Sequence, residues 1–132
     1  MLNWNRTLAA SVDEVEAFCL ALREELYGHW HRSDVFAAEL VFREVLANAV
    51  EHGARFDPRQ TISVDLSVEN GRLRARISDT GPGFDPAPPP DFAEHGRGLQ
   101  ILALYAPVYT FGDRGRTVEF ELTLRPQVEQ KE

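Results

Sequence analysis

The stretch Arg43-Glu44-Val45-Leu46-Ala47-Asn48-Ala49-Val50-Glu51-His52-Gly53 decides how the rest of the chain is read. It closes an apolar-periodic segment for which Ser33 or Asp34 offers an amino-terminal cap and Gly53 a stop, so a helix is predicted up to Gly53. At 100° per residue, Glu44 and Asn48 fall about 40° apart on one face, while Phe42, Val45, Leu46, Ala49 and Val50 spread over the opposite arc. One side of the helix can be buried while a carboxylate and a carboxamide stand together on the other. An amide oxygen is a hard ligand suited to Mg²⁺, which takes one or two protein ligands beside phosphate oxygens and water. A carboxylate one turn away can accept a proton from an attacking hydroxyl or water. Taken alone, the pair also reads as a solvated helix face.

Upstream, Asn3 to Ala9 reads as a short first strand, and Ser11-Val12-Asp13-Glu14 is a capping-box pattern that starts a helix running to about Tyr27. Val15, Phe18, Cys19, Leu22 and Leu26 give that helix one buried stripe, and Gly28 to Arg32 connects it to the next. His29-Trp30-His31 reads as surface connection, because two histidines without further ligands leave most metals undersatisfied. Downstream, Thr61 to Val68 and Leu73 to Ser78 alternate apolar with polar residues around Asn70-Gly71, a hairpin turn that needs positive φ at both positions. A loop from Asp79 to His95 follows, kept irregular by Pro86, Pro88, Pro89 and Pro90. A short helix is expected from about Gly98 to Tyr105, then a hairpin of Val108 to Phe111 and Thr117 to Leu124 around Asp113-Arg114-Gly115-Arg116. The fold class is α+β: a two-layer sandwich with an antiparallel or mixed, mostly antiparallel sheet and helices on one face.

The 132 residues suit one domain, 1–132, with a polar tail at 127–132. A lone cysteine, Cys19, forms no internal disulfide, and no apolar run reaches the length of a membrane span, so the expected location is cytoplasmic, with no membrane partner. The net charge of −7 argues against direct nucleic-acid binding, which needs clustered positive charge. Lys131, in the tail, is the only lysine. P-loop and eukaryotic-type kinase sites, which place an internal lysine on the phosphates, are disfavoured.

Two further constellations stand in order behind the first. Asp79-Thr80-Gly81-Pro82-Gly83-Phe84 falls where a strand gives way to a loop. An ionised Asp79 can accept a hydrogen bond from the exocyclic amine of adenine, and Gly81 and Gly83 let backbone approach the base. A plain turn after a strand explains the same residues. Gly96-Arg97-Gly98-Leu99 opens the short helix, where exposed amides form an anion site and Arg97 adds charge; alone, it is an ordinary helix start.

A helix-borne Glu-x-x-x-Asn, then Asp-x-Gly-x-Gly after a strand, then a loop, then Gly-x-Gly-Leu, resembles the N, G1 and G2 boxes of the GHKL ATP-binding superfamily over roughly Ala37 to Leu124. Thr117, in Gly115-Arg116-Thr117, resembles the family's late Gly-x-Thr element near the nucleotide phosphates. The gyrase-like branch is not expected, for want of room for its transducer domain. Histidine kinases usually carry Asn where Glu44 stands, and His29, His31, His52 and His95 lack the setting of an acceptor histidine. Glu44-x-x-x-Asn48-Ala49-x-x-His52-Gly53 is most similar to the anti-sigma-factor serine kinases. That resemblance implies Mg-ATP as cofactor, Glu44 as general base, Asn48 as magnesium ligand and Asp79 as adenine reader. His52, Gly81, Gly83, Phe84, Gly96, Arg97, Gly98, Leu99 and Thr117 would join Asn48 and Asp79 around the nucleotide. It implies a homodimer that phosphorylates a serine or threonine of a small STAS-type anti-sigma-factor antagonist and also holds a sigma factor. The lid departs from the family pattern: it is short, proline-rich and acidic at Asp85, Asp91 and Glu94, where relatives carry threonine and lysine, and Arg97 is the candidate substitute. A nucleotide-regulated sequestering module without kinase activity, and a detached histidine-kinase-like catalytic domain, are the alternatives.

Overall fold

A computed structural model describes residues 2–53, 57, 59–80, 108–112 and 117–127, excluding the side chains of 52, 53 and 108–111. Strand β1 (Leu2–Ala9) leads into helices α1 (Val12–Leu26) and α2 (Arg32–Asn48) and a wide π-turn (Ala49–Gly53). Strands β2 (Thr61–Glu69), β3 (Arg72–Asp79), β4 (Val108–Gly112) and β5 (Thr117–Thr123) follow. They form one five-stranded sheet in the order β1-β2-β3-β5-β4, in which every described pairing is antiparallel. This is the two-layer α+β architecture expected, its strand pairing settled as antiparallel. The expected helix from Gly98 and the turn at 113–116 lie outside the described residues.

Strand alternation separates the two faces of the sheet. Ile62, Val64, Leu66 and Val68 of β2, Leu73, Ala75 and Ile77 of β3, and Val118, Phe120 and Leu122 of β5 are buried on the helix side. Rings carry the packing through both layers, from Trp4 to Phe18 (5.7 Å between centroids), Phe18 to Phe42 (5.7 Å) and Phe42 to Phe120 (5.1 Å). The opposite face is charged, with Arg72 and Arg74 on Glu121 and Arg76 on Glu119 across β3 and β5. The hairpin turn is as predicted: Asn70 and Gly71 have φ of 54° and 74°. Gly71 is also required by space, since a Cβ there would meet the carbonyl oxygen of Leu124 at 2.7 Å.

Ser11 caps α1, accepting from the Glu14 amide at 3.2 Å, and all five residues of the predicted stripe are buried. Burial pushes the Cys19 thiol up to about 11, which leaves it unreactive in the core. The start of α2 differs from expectation: His31, not Ser33 or Asp34, is the cap, its Nδ1 accepting from the Ser33 amide at 3.2 Å. Asp34 is engaged elsewhere, accepting from the Arg125 amide (2.8 Å) and guanidinium (2.9 and 3.2 Å). The far end of α2 differs too, widening into a π-turn after Asn48 instead of running as α-helix to Gly53. The wider turn seats the successive residues Ala49 and Val50 in the core and leaves Glu51 exposed.

Helices α1 and α2 lie antiparallel, locked by a shared carboxylate. Glu39 accepts from Arg23 Nε and Nη2 (2.8 and 2.7 Å) and from Arg43 Nη2 (2.9 Å), and Arg43 continues to Glu16. The Arg23 guanidinium, and then Arg43, hold the Glu39 carboxyl below its ordinary range.

Candidate functional site

The ends of the elements determine which residues can meet. The α1–α2 connection sits at the Asn70-Gly71 end of the sheet, because Trp30 lies beside Gly71 and the His31 amide donates to the Arg125 carbonyl at 2.7 Å. Helix α2 starts there and runs 17 residues, about 25 Å; β3 leaves the same end and runs 8 residues, about 26 Å. Their carboxyl ends therefore fall together, and the π-turn after Asn48 packs against β3. The start of α1 is also at this end, where the Ala10 amide donates to the Gln60 carbonyl at 3.1 Å.

Three expected residues lie on the elements that end here. Glu44 and Asn48 are half-buried on α2, one turn and about 6 Å of rise apart, and neither makes a side-chain hydrogen bond or ion pair among the described residues. Asp79, 7% exposed, ends β3 on the helix side, opposite buried Ile62 in the register, and it is not without an interaction. A shielded carboxylate at a strand end, beside a carboxamide and a second carboxylate presented by a helix, matches a purine base at one side and a metal-polyphosphate at the other. The donor set fits adenine nucleotide with Mg²⁺; Asn48 would be the described metal ligand.

Thr117 does not join them. Register pairs it with Ser78, and its hydroxyl is 3.1 Å from that of Ser78, on the face that carries Arg76 and Glu119. Asp79 and Val118 point to the other face. Strand parity thus turns the Thr117 side chain to the face opposite Asp79, where its hydroxyl is engaged with Ser78. The side chain of His52, and Gly81, Gly83, Phe84, Gly96, Arg97, Gly98 and Leu99, lie outside the described residues.

One residue was missed. Thr80 anchors the loop that leaves β3: its amide donates to the Thr61 carbonyl (3.2 Å), and its hydroxyl accepts from the Thr61 amide (3.0 Å) and donates to Gln60 (2.5 Å). The position directly after Asp79 is set by these bonds. A hydroxyl residue between an aspartate and a glycine was the only signal for it in the sequence. Among the described residues no helix is long and apolar enough to cross a membrane.

Comparison with curated proteins gives no match. A family model does match, the histidine kinase-like ATPase domain, over residues 8–122, from the end of β1 into β5, with Glu44, Asn48 and Asp79 inside it. Such a domain binds ATP and serves kinase or ATPase chemistry. The chain belongs to the histidine kinase-like ATPase domain family.

Proposed function

We propose that the chain is an ATP-dependent serine/threonine protein kinase of the anti-sigma-factor type. It phosphorylates a small STAS-type antagonist, works as a homodimer and binds a sigma factor as a second partner. The observation that carries this reading is Glu44, half-exposed and without a side-chain partner among the described residues, one turn before Asn48 at the Asp79 end of the sheet. A domain that only bound nucleotide would have little need of a carboxylate there.

In this mechanism Asp79 accepts the exocyclic amine of adenine and rejects guanine, which presents a carbonyl at that place. Asn48 would hold Mg²⁺ through its amide oxygen, and the metal would supply neutralisation of the phosphate charge. Glu44 takes the proton that a serine or threonine hydroxyl gives up, an effect worth typically ~10²–10⁴-fold. Thr80 holds the start of the following loop on β2, so Asp79 meets the base in a fixed position.

The second reading, a nucleotide-regulated sequestering module, draws on the acidic lid with Asp85, Asp91 and Glu94 and no lysine. Radiolabelled ATP with candidate antagonists decides between them. Label on an antagonist serine or threonine is the expected result. ATP and sigma-factor binding without transfer hands the function to the sequestering module. Transfer to a histidine of a separate protein makes the chain a detached histidine-kinase-like catalytic domain.

A further inference from the structure

The outer side of the α1–α2 hairpin carries a groove of about 430 Å³ that runs from Tyr27 and Arg32, at the end remote from Asp79, to Arg43. Four large hydrophobic side chains are exposed among the described residues, Val12, Leu20, Tyr27 and Phe36. Tyr27 at 56% and Phe36 at 62% exposure line this groove, with Val35 and Leu40 beneath them, and Leu20 lies on the same stripe of α1 as Arg23 and Tyr27. Two of the four, Tyr27 and Phe36, thus share one concave place, which marks a contact surface.

Its charge is the opposite of the chain's. Three arginines, Arg23, Arg32 and Arg43, line it against the carboxylates of Glu39 in the lining and Glu16 on Arg43, which leaves an excess of positive charge at Arg32 in a protein of net charge −7. Glu39 is already occupied by Arg23 and Arg43. Arg32 is exposed and makes no ion pair among the described residues. Aromatic side chains beside arginines are the composition of interface centres.

We infer that this groove docks an acidic amphipathic helix of a partner protein, seating large apolar side chains against Phe36 and Tyr27 and a carboxylate on Arg32. A valley between two antiparallel helices accepts a third helix by ridge-into-groove packing. From Arg32 to Arg43 the valley is about 16 Å long, or three helical turns. Phe36 lies eight residues before Glu44, about 12 Å along α2, while the valley itself runs on to Arg43, the neighbour of Glu44. The inference does not depend on kinase activity.

The test is selection of a displayed library of amphipathic helical peptides on the purified full chain, followed by fluorescence anisotropy of the enriched peptides. Enrichment of sequences with Asp or Glu on one face and Leu or Phe at i, i+3 or i+4 and i+7 on the other is expected. Phe36→Asp and Arg32→Glu should each weaken them about ten-fold, the loss of one central contact. Both changes are at exposed positions, and unchanged ATP affinity in each variant shows that the fold is intact. No enrichment, enrichment of basic peptides, or binding indifferent to both variants overturns the inference. So does a parent dimer that Phe36→Asp splits in sedimentation, which would make a second copy the occupant.

Discussion

The two ends of α2 are built to different rules. Between Arg32 and Arg43 nearly every polar side chain is committed: Asp34 to Arg125, Ser33 to His31 and Arg125, Glu39 to Arg23 and Arg43, Arg43 also to Glu16. Between Glu44 and Asn48 the polar side chains make no such bonds among the described residues, and the helix then widens into a π-turn. The first half, Arg32 apart, satisfies its charges internally and fixes the helix on the sheet. The second half leaves a carboxylate and a carboxamide on a rigid support with hydrogen-bonding capacity unspent, the arrangement a ligand can complete.

The largest consequence is kinetic. Glu44→Gln removes a proton acceptor that makes no side-chain hydrogen bond or ion pair among the described residues, so transfer to an antagonist should fall ~10²–10⁴-fold while stability stays within about 0.5 kcal/mol. Single-turnover transfer beside urea unfolding reads both. Equal rates in parent and variant would reduce Glu44 to a solvated helix residue.

The other half of α2 should respond in reverse. Glu39→Ala leaves two guanidinium groups without their shared carboxylate. Because Arg23 and Arg43 remain 47% and 31% exposed, the cost should be about 1–3 kcal/mol, below that of a fully buried pair, with ATP affinity unchanged. The pH dependence follows. Arg23 and Arg43 place the folded Glu39 carboxyl below its ordinary value of 4.5, so its stabilisation is fully present above that value and is lost as pH falls through the lower folded one. In acid titration the parent should lose stability more steeply than Glu39→Gln, which has no group to protonate. Parallel curves would remove Glu39 as the source.

At the nucleotide end, Asp79→Asn keeps shape and burial but puts a donor where an acceptor is needed. ATP affinity should weaken by ~1–3 kcal/mol, the worth of a charged hydrogen bond in a shielded site, measured by calorimetry. Equal affinity of the parent for ATP and GTP would refute the base-reading role.

What the sequence made legible was local. The stripe from Val15 to Leu26, the arc from Phe42 to Val50 and the Asn70-Gly71 turn each follow from periodicity or from backbone angles over a few residues. The placement of Glu44, Asn48 and Asp79 on elements that end together could be expected from motif order alone, because equal lengths of α2 and β3 leave their ends side by side. What escaped depended on distant partners. Asp34 lost its capping role to Arg125, 91 residues away, and only then does His31 cap the helix. The placement of β5 between β3 and β4 is likewise non-local. The glycines of the second and third boxes could be read as motifs, but they lie outside the described residues.

Thr117 gives the smallest predicted effect and the closest check on the site's boundary. A motif match supplies a residue type and a position in sequence, but in a strand the neighbouring residue points to the other face. The register Ser78↔Thr117, with a 3.1 Å hydroxyl contact, puts Thr117 on the charged face, whereas Asp79 and Val118 face the helices. Thr117→Val keeps the β-branched shape and removes one hydroxyl hydrogen bond, a loss of about 0.5–1.5 kcal/mol in stability. ATP affinity should stay within about a factor of two, well under the ten-fold that 1.4 kcal/mol represents. Ser78→Ala should reproduce the stability loss, and the double variant should cost little more than either alone, because both remove the same bond. A ten-fold loss of ATP affinity in Thr117→Val with Ser78→Ala unaffected would mean that the threonine hydroxyl serves the nucleotide after all, and that the sheet turns at this end by more than strand alternation allows.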